Sequence, residues 1–164
     1  MMRSIILFRH GKSDWNMQYK KDHDRPLSKR GIQAAKRMGK YLSSIQQKPD
    51  LIISSTALRA KTTAELAKKF GKWDADLIFE RNIYESSIND ILAILAKQDS
   101  KTKFICLVGH EPTFSYFISE MTKTNWIKFP TAAMARIDFQ LENWDAIKLG
   151  EGVLSWLKKP KELY

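Results

Sequence analysis

The chain has a single cysteine, Cys106, among its 164 residues, which rules out an intramolecular disulfide. Its setting, Phe104-Ile105-Cys106-Leu107-Val108, marks a buried small hydrophobe rather than a reactive thiol. Histidine is nearly as scarce. The three, at positions 10, 23 and 110, form no H-x-x-x-H pair, and no Cys/His cluster has zinc spacing, so no metal or cofactor is expected. Long hydrophobic runs are missing too. The first, Ile5 to Phe8, is too short for a signal-peptide core or a membrane span and stops at Arg9. No membrane partner is expected, and the location expected is cytoplasmic. With no internal repeat, low-complexity tract or linker, residues 1–164 read as one domain.

Acid is also in short supply. Eighteen Asp and Glu face 28 Lys and Arg, a net charge of +10, which favours anionic partners such as phosphates, acidic proteins or nucleic acid. The lysines are scattered (Lys20-Lys21, Lys68-Lys69, Lys158-Lys159), as on a solvated basic surface. What the chain does have is apolar mass, 43% of residues with five Trp, five Tyr and eight Phe, enough for a globular core.

Apolar periodicity alternates between strand and helix. Strands are expected at 4–8, 50–54, 76–80 and 103–108, with a terminal pair at 134–141 and 147–149. Helices are expected at 29–45 behind an N-cap at Ser28, at 58–70 ending at Gly71, at 88–97, and at 113–121 just past Pro112. This βαβα order predicts an α/β fold: three layers, α/β/α, with a mostly parallel central sheet and helices on both faces.

Ligands of open α/β sheets bind beyond the carboxyl ends of the strands. There the sequence places Arg9-His10-Gly11, then Ser54-Ser55-Thr56 leading to Arg59, then Gly109-His110-Glu111-Pro112. Two Arg and two His around a cavity suit a tetrahedral dianion, since guanidinium forks bind phosphate oxygens bidentately. A neutral imidazole there can attack phosphorus, and water then hydrolyses the adduct. Gly11 is expected to let the backbone turn tightly while the His10 ring points inward.

R-H-G-K-S-D-W-N (9–16) resembles the R-H-G-x-S-x-W-N signature of the histidine phosphatase superfamily, whose fold is phosphoglycerate-mutase-like. S-S-T-A-L-R-A-K-T-T-A-E (54–65) and V-G-H-E-P (108–112) are similar to its second and third blocks. Within it, the likeness is to SixA-type phosphohistidine phosphatases. It rests on D-H-D-R-P-L-S-K-R-G (22–31), F-P-T-A (129–132) and W-L-K-K-P (156–160). The resemblance implies His10 as nucleophile, Arg9 and Arg59 as phosphate holders, and His110 completing the pocket. It also implies a polar contact from Asn16. Thr56 stands where the family often has Pro, a change expected to alter the turn alone.

The resemblance implies a phosphorylated protein, or a small phosphorylated molecule, as the partner. Glu85, in I-Y-E, is a candidate general acid for ester substrates; otherwise it is a solvent-facing residue ahead of a helix. His23 reads as a loop hydrogen-bonder, and Asp24 and Arg25 as braces of the loop over the first block. A non-catalytic module binding phosphate or nucleic acid is the rival of another class, but no aromatic–basic recognition motif supports it.

Overall fold

The computed structural model describes residues 1–163. Its centre is a six-stranded sheet in the order β3-β2-β4-β1-β5-β6. The strands are β1 (Met2–Arg9), β2 (Leu51–Ser54), β3 (Asp76–Phe79), β4 (Phe104–Gly109), β5 (Met134–Gln140) and β6 (Val153–Lys158). β3, β2, β4 and β1 pair in parallel, while β5 and β6 extend the sheet antiparallel, as the expected mostly parallel α/β/α architecture requires.

β1 and β4 sit inside the sheet and are buried on both faces, so their apolar runs divide by parity. Ile5, Leu7, Ile105 and Leu107 feed one core, with helices α3 (Ile88–Ala96) and α4 (Thr113–Thr122) on that face. Ile6, Phe8, Cys106 and Val108 feed the other, beneath α1 (Lys29–Ser44) and α2 (Leu58–Gly71). Helices change face where the strand order reverses: β1 to β2 to β3 steps outward, and β3 to β4 steps back between β2 and β1. With right-handed crossovers, that reversal opens a crevice at the carboxyl ends of β1, β4 and β2.

Three expectations are corrected. Residues 147–149 are not a strand. A 3₁₀ turn, Trp144–Ala146, buries Trp144, Ile147 follows it into the core, and the last strand is β6, whose V-L-S-W-L-K pairs with β5. Gly71 is the last helical residue, and the left-handed residue that ends α2 is Lys72 (φ 55°). A side chain at position 71 would strike the Gly39 carbonyl of α1.

Gly11, finally, is not at positive φ; Gly150 is the described glycine that is. A Cβ on Gly11 would lie 2.7 Å from the Gly31 carbonyl oxygen, and one on Gly31 would lie 2.1 Å from that of Lys12. Ser28, the N-cap of α1, donates to the same Lys12 oxygen from its backbone N–H (2.9 Å) and its Oγ (3.0 Å). The first turn of α1 is therefore pressed directly onto the loop after His10, at a separation that two glycines permit.

Gly31→Ala should lower stability by about 1–3 kcal/mol, because backbone rather than a flexible side chain blocks the added methyl. Urea denaturation checks this; an unchanged midpoint would refute the close approach.

Candidate active site

The ladder fixes which residues meet. Arg9 pairs with Gly109, and Ser54 with Val108, so the next residue of each strand steps out at one level. The His10 N–H donates to the Gly109 carbonyl (3.0 Å) and the Ser55 N–H to that of Val108 (2.9 Å). The His10 carbonyl in turn accepts from Ala132 N–H (2.9 Å). The rings of His10 and His110 lie 5.2 Å apart. Both are buried, and so is Arg59.

His10 Nδ1 lies 2.6 Å from the Gly11 carbonyl oxygen. Because a carbonyl only accepts, Nδ1 carries the proton and Nε2 keeps its lone pair. Burial, reinforced by the nearby charges of Arg59, Arg9 and Arg25, pushes the His10 pKa down from 6.5 to about 3. Burial lowers His110 to about 3 as well, aided by His10 and Arg59. Both imidazoles are neutral at neutral pH. His110 Nε2 is 2.8 Å from Ser55 Oγ, which also accepts the Ala57 N–H (3.1 Å). His110 Nδ1, Arg9 Nε and Arg59 Nε are buried with no hydrogen-bond partner among the described residues. Buried polar groups are rarely left so.

A cavity of about 570 Å³ opens over these groups. Arg9, Arg25, Arg30 and Arg59 line it together with Lys12, Lys159 and Lys161; among the described residues one carboxylate, Glu111, faces them. Glu111 is engaged: its Oε1 accepts the Ser115 N–H of α4 at 2.6 Å. His10, Arg9, Arg59 and His110, expected from the sequence, are thus brought together. Asn16 and Glu85 are not. The Asn16 N–H is held by Asp14 Oδ1 (2.9 Å), a local turn that leaves Asn16 exposed and outside the cavity. Glu85 is exposed on a left-handed backbone (φ 54°) two residues ahead of Ser87, the N-cap of α3, and does not line the cavity.

The sequence reading missed Asp22, on the 3₁₀ turn Asp22–Asp24. Its Oδ2 accepts from Arg59 Nη2 (3.0 Å) and Tyr84 OH (2.7 Å), its Oδ1 from Arg25 Nη2 (2.9 Å), and its carbonyl from Arg59 Nη1 (2.7 Å). Those partners hold its carboxyl well below the usual range, outweighing the effect of burial. The D-x-x-R spacing of Asp22 and Arg25 was the available signal. Arg25 also donates to Ser13 and lies 3.6 Å from the centre of the Trp15 ring. His23 bonds as a loop residue, with Nε2 2.8 Å from Thr56 Oγ1. Thr56 therefore does more than reshape a turn, since proline could not make that bond. Lys159, read as solvated surface, instead forms part of the cavity wall, carried there by β6 and the 3₁₀ turn Pro160–Leu163.

The family model for the histidine phosphatase superfamily (branch 1) matches residues 5–92. An uncharacterised chloroplast protein of Arabidopsis thaliana is 38% identical over 94% of this chain and 74% of its own length. A 2,3-bisphosphoglycerate-dependent phosphoglycerate mutase of Rhizobium meliloti is 32% identical over 63% of this chain, which matches half of that enzyme's length. In fold, the chain is similar to a protein assigned as the phosphohistidine phosphatase SixA of Nakamurella multipartitia (TM-score 0.86, 22% identity, 98% and 97% of the two chains covered). It is likewise similar to the protein histidine phosphatase SixA solved with tungstate (TM-score 0.84, 19% identity, 98% and 99% covered).

The two depressed imidazoles leave stability untouched above about pH 6.5 and weaken it as pH falls from 6.5 towards 3, because the unfolded chain takes up protons that the folded one refuses. The loss should reach roughly 2–3 kcal/mol per imidazole by about pH 4.5. Urea melts at pH 7.5 and 4.5 check it. His110→Gln should reduce that pH-dependent loss by about half; an unchanged loss would refute the assignment.

Proposed function

The chain belongs to the histidine phosphatase superfamily, and from that premise we propose that it hydrolyses phosphohistidine on a protein through a covalent phosphoryl intermediate on His10. The observation that carries the reading is the convergence of Arg9, Arg59 and His110 on one cavity, around an imidazole whose Nε2 is the free acceptor. A tetrahedral oxyanion in that cavity would pair with the guanidiniums and bring phosphorus to Nε2. Tungstate, with which one structural neighbour was solved, is an oxyanion of that shape.

In the first step, the lone pair of His10 Nε2 forms a bond to phosphorus while the bond from phosphorus to the substrate nitrogen breaks. The Gly11 carbonyl stabilises the imidazolium that develops, through the proton on Nδ1. Arg9, Arg59 and His110 hold the equatorial oxygens as charge shifts across them, so the guanidiniums supply the countercharge that phosphoryl transfer needs. Water then attacks the phospho-adduct, releasing phosphate and restoring neutral His10.

The leaving group favours a P–N substrate. A phosphohistidine protonated on its second ring nitrogen departs as neutral imidazole, whereas an alkoxide needs a positioned acid. Glu85 is exposed and outside the cavity, and Glu111 is tied to the start of α4. Among the described residues, the cavity therefore holds no carboxylic acid free of the protein's own bonds.

Initial rates on a phosphohistidine protein and on an alkyl phosphate, without added metal, test this. Wild type and Glu85→Gln should cleave the P–N substrate alike, and His10→Ala should abolish turnover with the fold intact; near-native activity in His10→Ala would overturn the mechanism. Asp22→Asn should lower kcat about 10²-fold without raising KM, since a carboxylate that positions Arg59 is lost while the pocket becomes more positive. A raised KM with unchanged kcat would assign Asp22 to binding instead.

A further inference from the structure

Apart from the half-buried Lys159, the cations of the cavity fall into two sets. The inner guanidiniums are engaged with the protein: Arg59 and Arg25 with Asp22, and Arg9 Nη1 with the Phe129 carbonyl (3.0 Å). The outer set is Lys12, Arg30 and Lys161, exposed residues whose side chains have no ion-pair or hydrogen-bond partner among the described residues. They come from three separate parts of the chain: the loop after His10, the first turn of α1, and the 3₁₀ turn beyond β6. Lys12 is two residues from His10, so its Cα lies within about 7 Å of the nucleophile's. Arg30 adjoins Gly31, which is pressed on that same loop. One phosphoryl group cannot fill a cavity of about 570 Å³, a size that holds a ligand of many atoms.

Beside this crescent stands an apolar anchor. Trp15 is 67% exposed, lines the cavity, and is stacked on Arg25. Met17, on the same loop, is 55% exposed. Trp, Met and Arg are the residues enriched where proteins dock, and an indole already fixed by a guanidinium loses little freedom on contact. A free small anion would have no use for that face.

We infer that the cavity mouth is a docking surface for an acidic protein segment, with Lys12, Arg30 and Lys161 pairing carboxylates that flank the phosphorylated residue and Trp15 packing against its apolar side. The inference rests on the phosphohistidine reading and adds the partner's chemistry: Asp and Glu near the modified histidine. Exposed charges of this kind act mainly through encounter and register, so their effect is strongest at low ionic strength.

The test uses two synthetic peptides phosphorylated on one histidine, identical except that the flanking residues are Glu in one and Gln in the other, with free phosphohistidine as reference. At low salt the wild type should show kcat/KM about tenfold higher on the Glu peptide. Arg30→Gln/Lys161→Gln and Trp15→Ala should each lower the ratio of peptide to free phosphohistidine turnover. The control Lys101→Gln/Lys148→Gln, at exposed positions away from the cavity, should keep the wild-type ratio.

Equilibrium binding of both peptides to His10→Ala separates the two ideas. A Glu preference in binding without turnover by the wild type would remove the phosphatase reading and leave the docking surface. Turnover with no Glu preference, or a preference indifferent to Arg30 and Lys161, would overturn the docking surface and leave the phosphatase.

Discussion

Like charges crowd one small space in this protein, and everything about the site follows from how that crowding is tolerated. Four guanidiniums line a single cavity beside two imidazoles. Left alone they would repel one another and spread into solvent. Asp22 prevents this by accepting from Arg25 and Arg59 at once, with Tyr84 donating to the oxygen that Arg59 also uses. The carboxylate neutralises part of the charge and fixes both forks in place. Burial, with that positive field behind it, keeps both imidazoles unprotonated. Charge crowding, usually a cost, here adds to the burial that holds His10 neutral.

The backbone carries the rest. Because β4 lies between β1 and β2, the residues that step off these three strands emerge side by side, and main-chain hydrogen bonds rather than side-chain packing set their level. His23 and Tyr84 add a second constraint: one bonds Thr56, the other bonds Asp22, and their rings meet edge to face at 5.0 Å. The short 3₁₀ turn carrying Asp22 is thereby latched to the segments that follow β2 and β3. A loop without regular structure becomes part of a rigid wall.

Much of this was legible in the residues, and the reasons are physical. β1 and β4 are unbroken apolar runs because both faces are buried, and a polar, histidine-bearing end on such a run stands out. Ser28 was recognisable as a cap because its side chain takes the Gly31 N–H, the bond its position predicts. For Asp22 the one local trace was its D-x-x-R spacing to Arg25; its partners Arg59 and Tyr84 lie 37 and 62 residues away, a meeting that no local pattern encodes. The placement of Lys159 failed because its cavity partners are equally remote in the chain, and residues 147–149 misled because Ile147 is apolar for a core role unrelated to strand pairing. Gly11 was rightly singled out, but it serves a neighbour's backbone rather than its own dihedral.

The position of β1 has a consequence for how the chain is made. The strand that leads into His10 is synthesised before the other five, yet it sits in the middle of the sheet, with Ser4 opposite Phe104 on one side and Asp138 on the other. Until those distant strands exist, the run Ile5 to Phe8 has no edge to pair with and no core to enter. Folding is therefore dominated by contacts of long sequence separation, a topology associated with slow folding and a lasting exposure of sticky segments. The stretch that must later be held most firmly is the one that waits longest for its neighbours, and on an emerging chain it is the segment most in need of shielding from other chains.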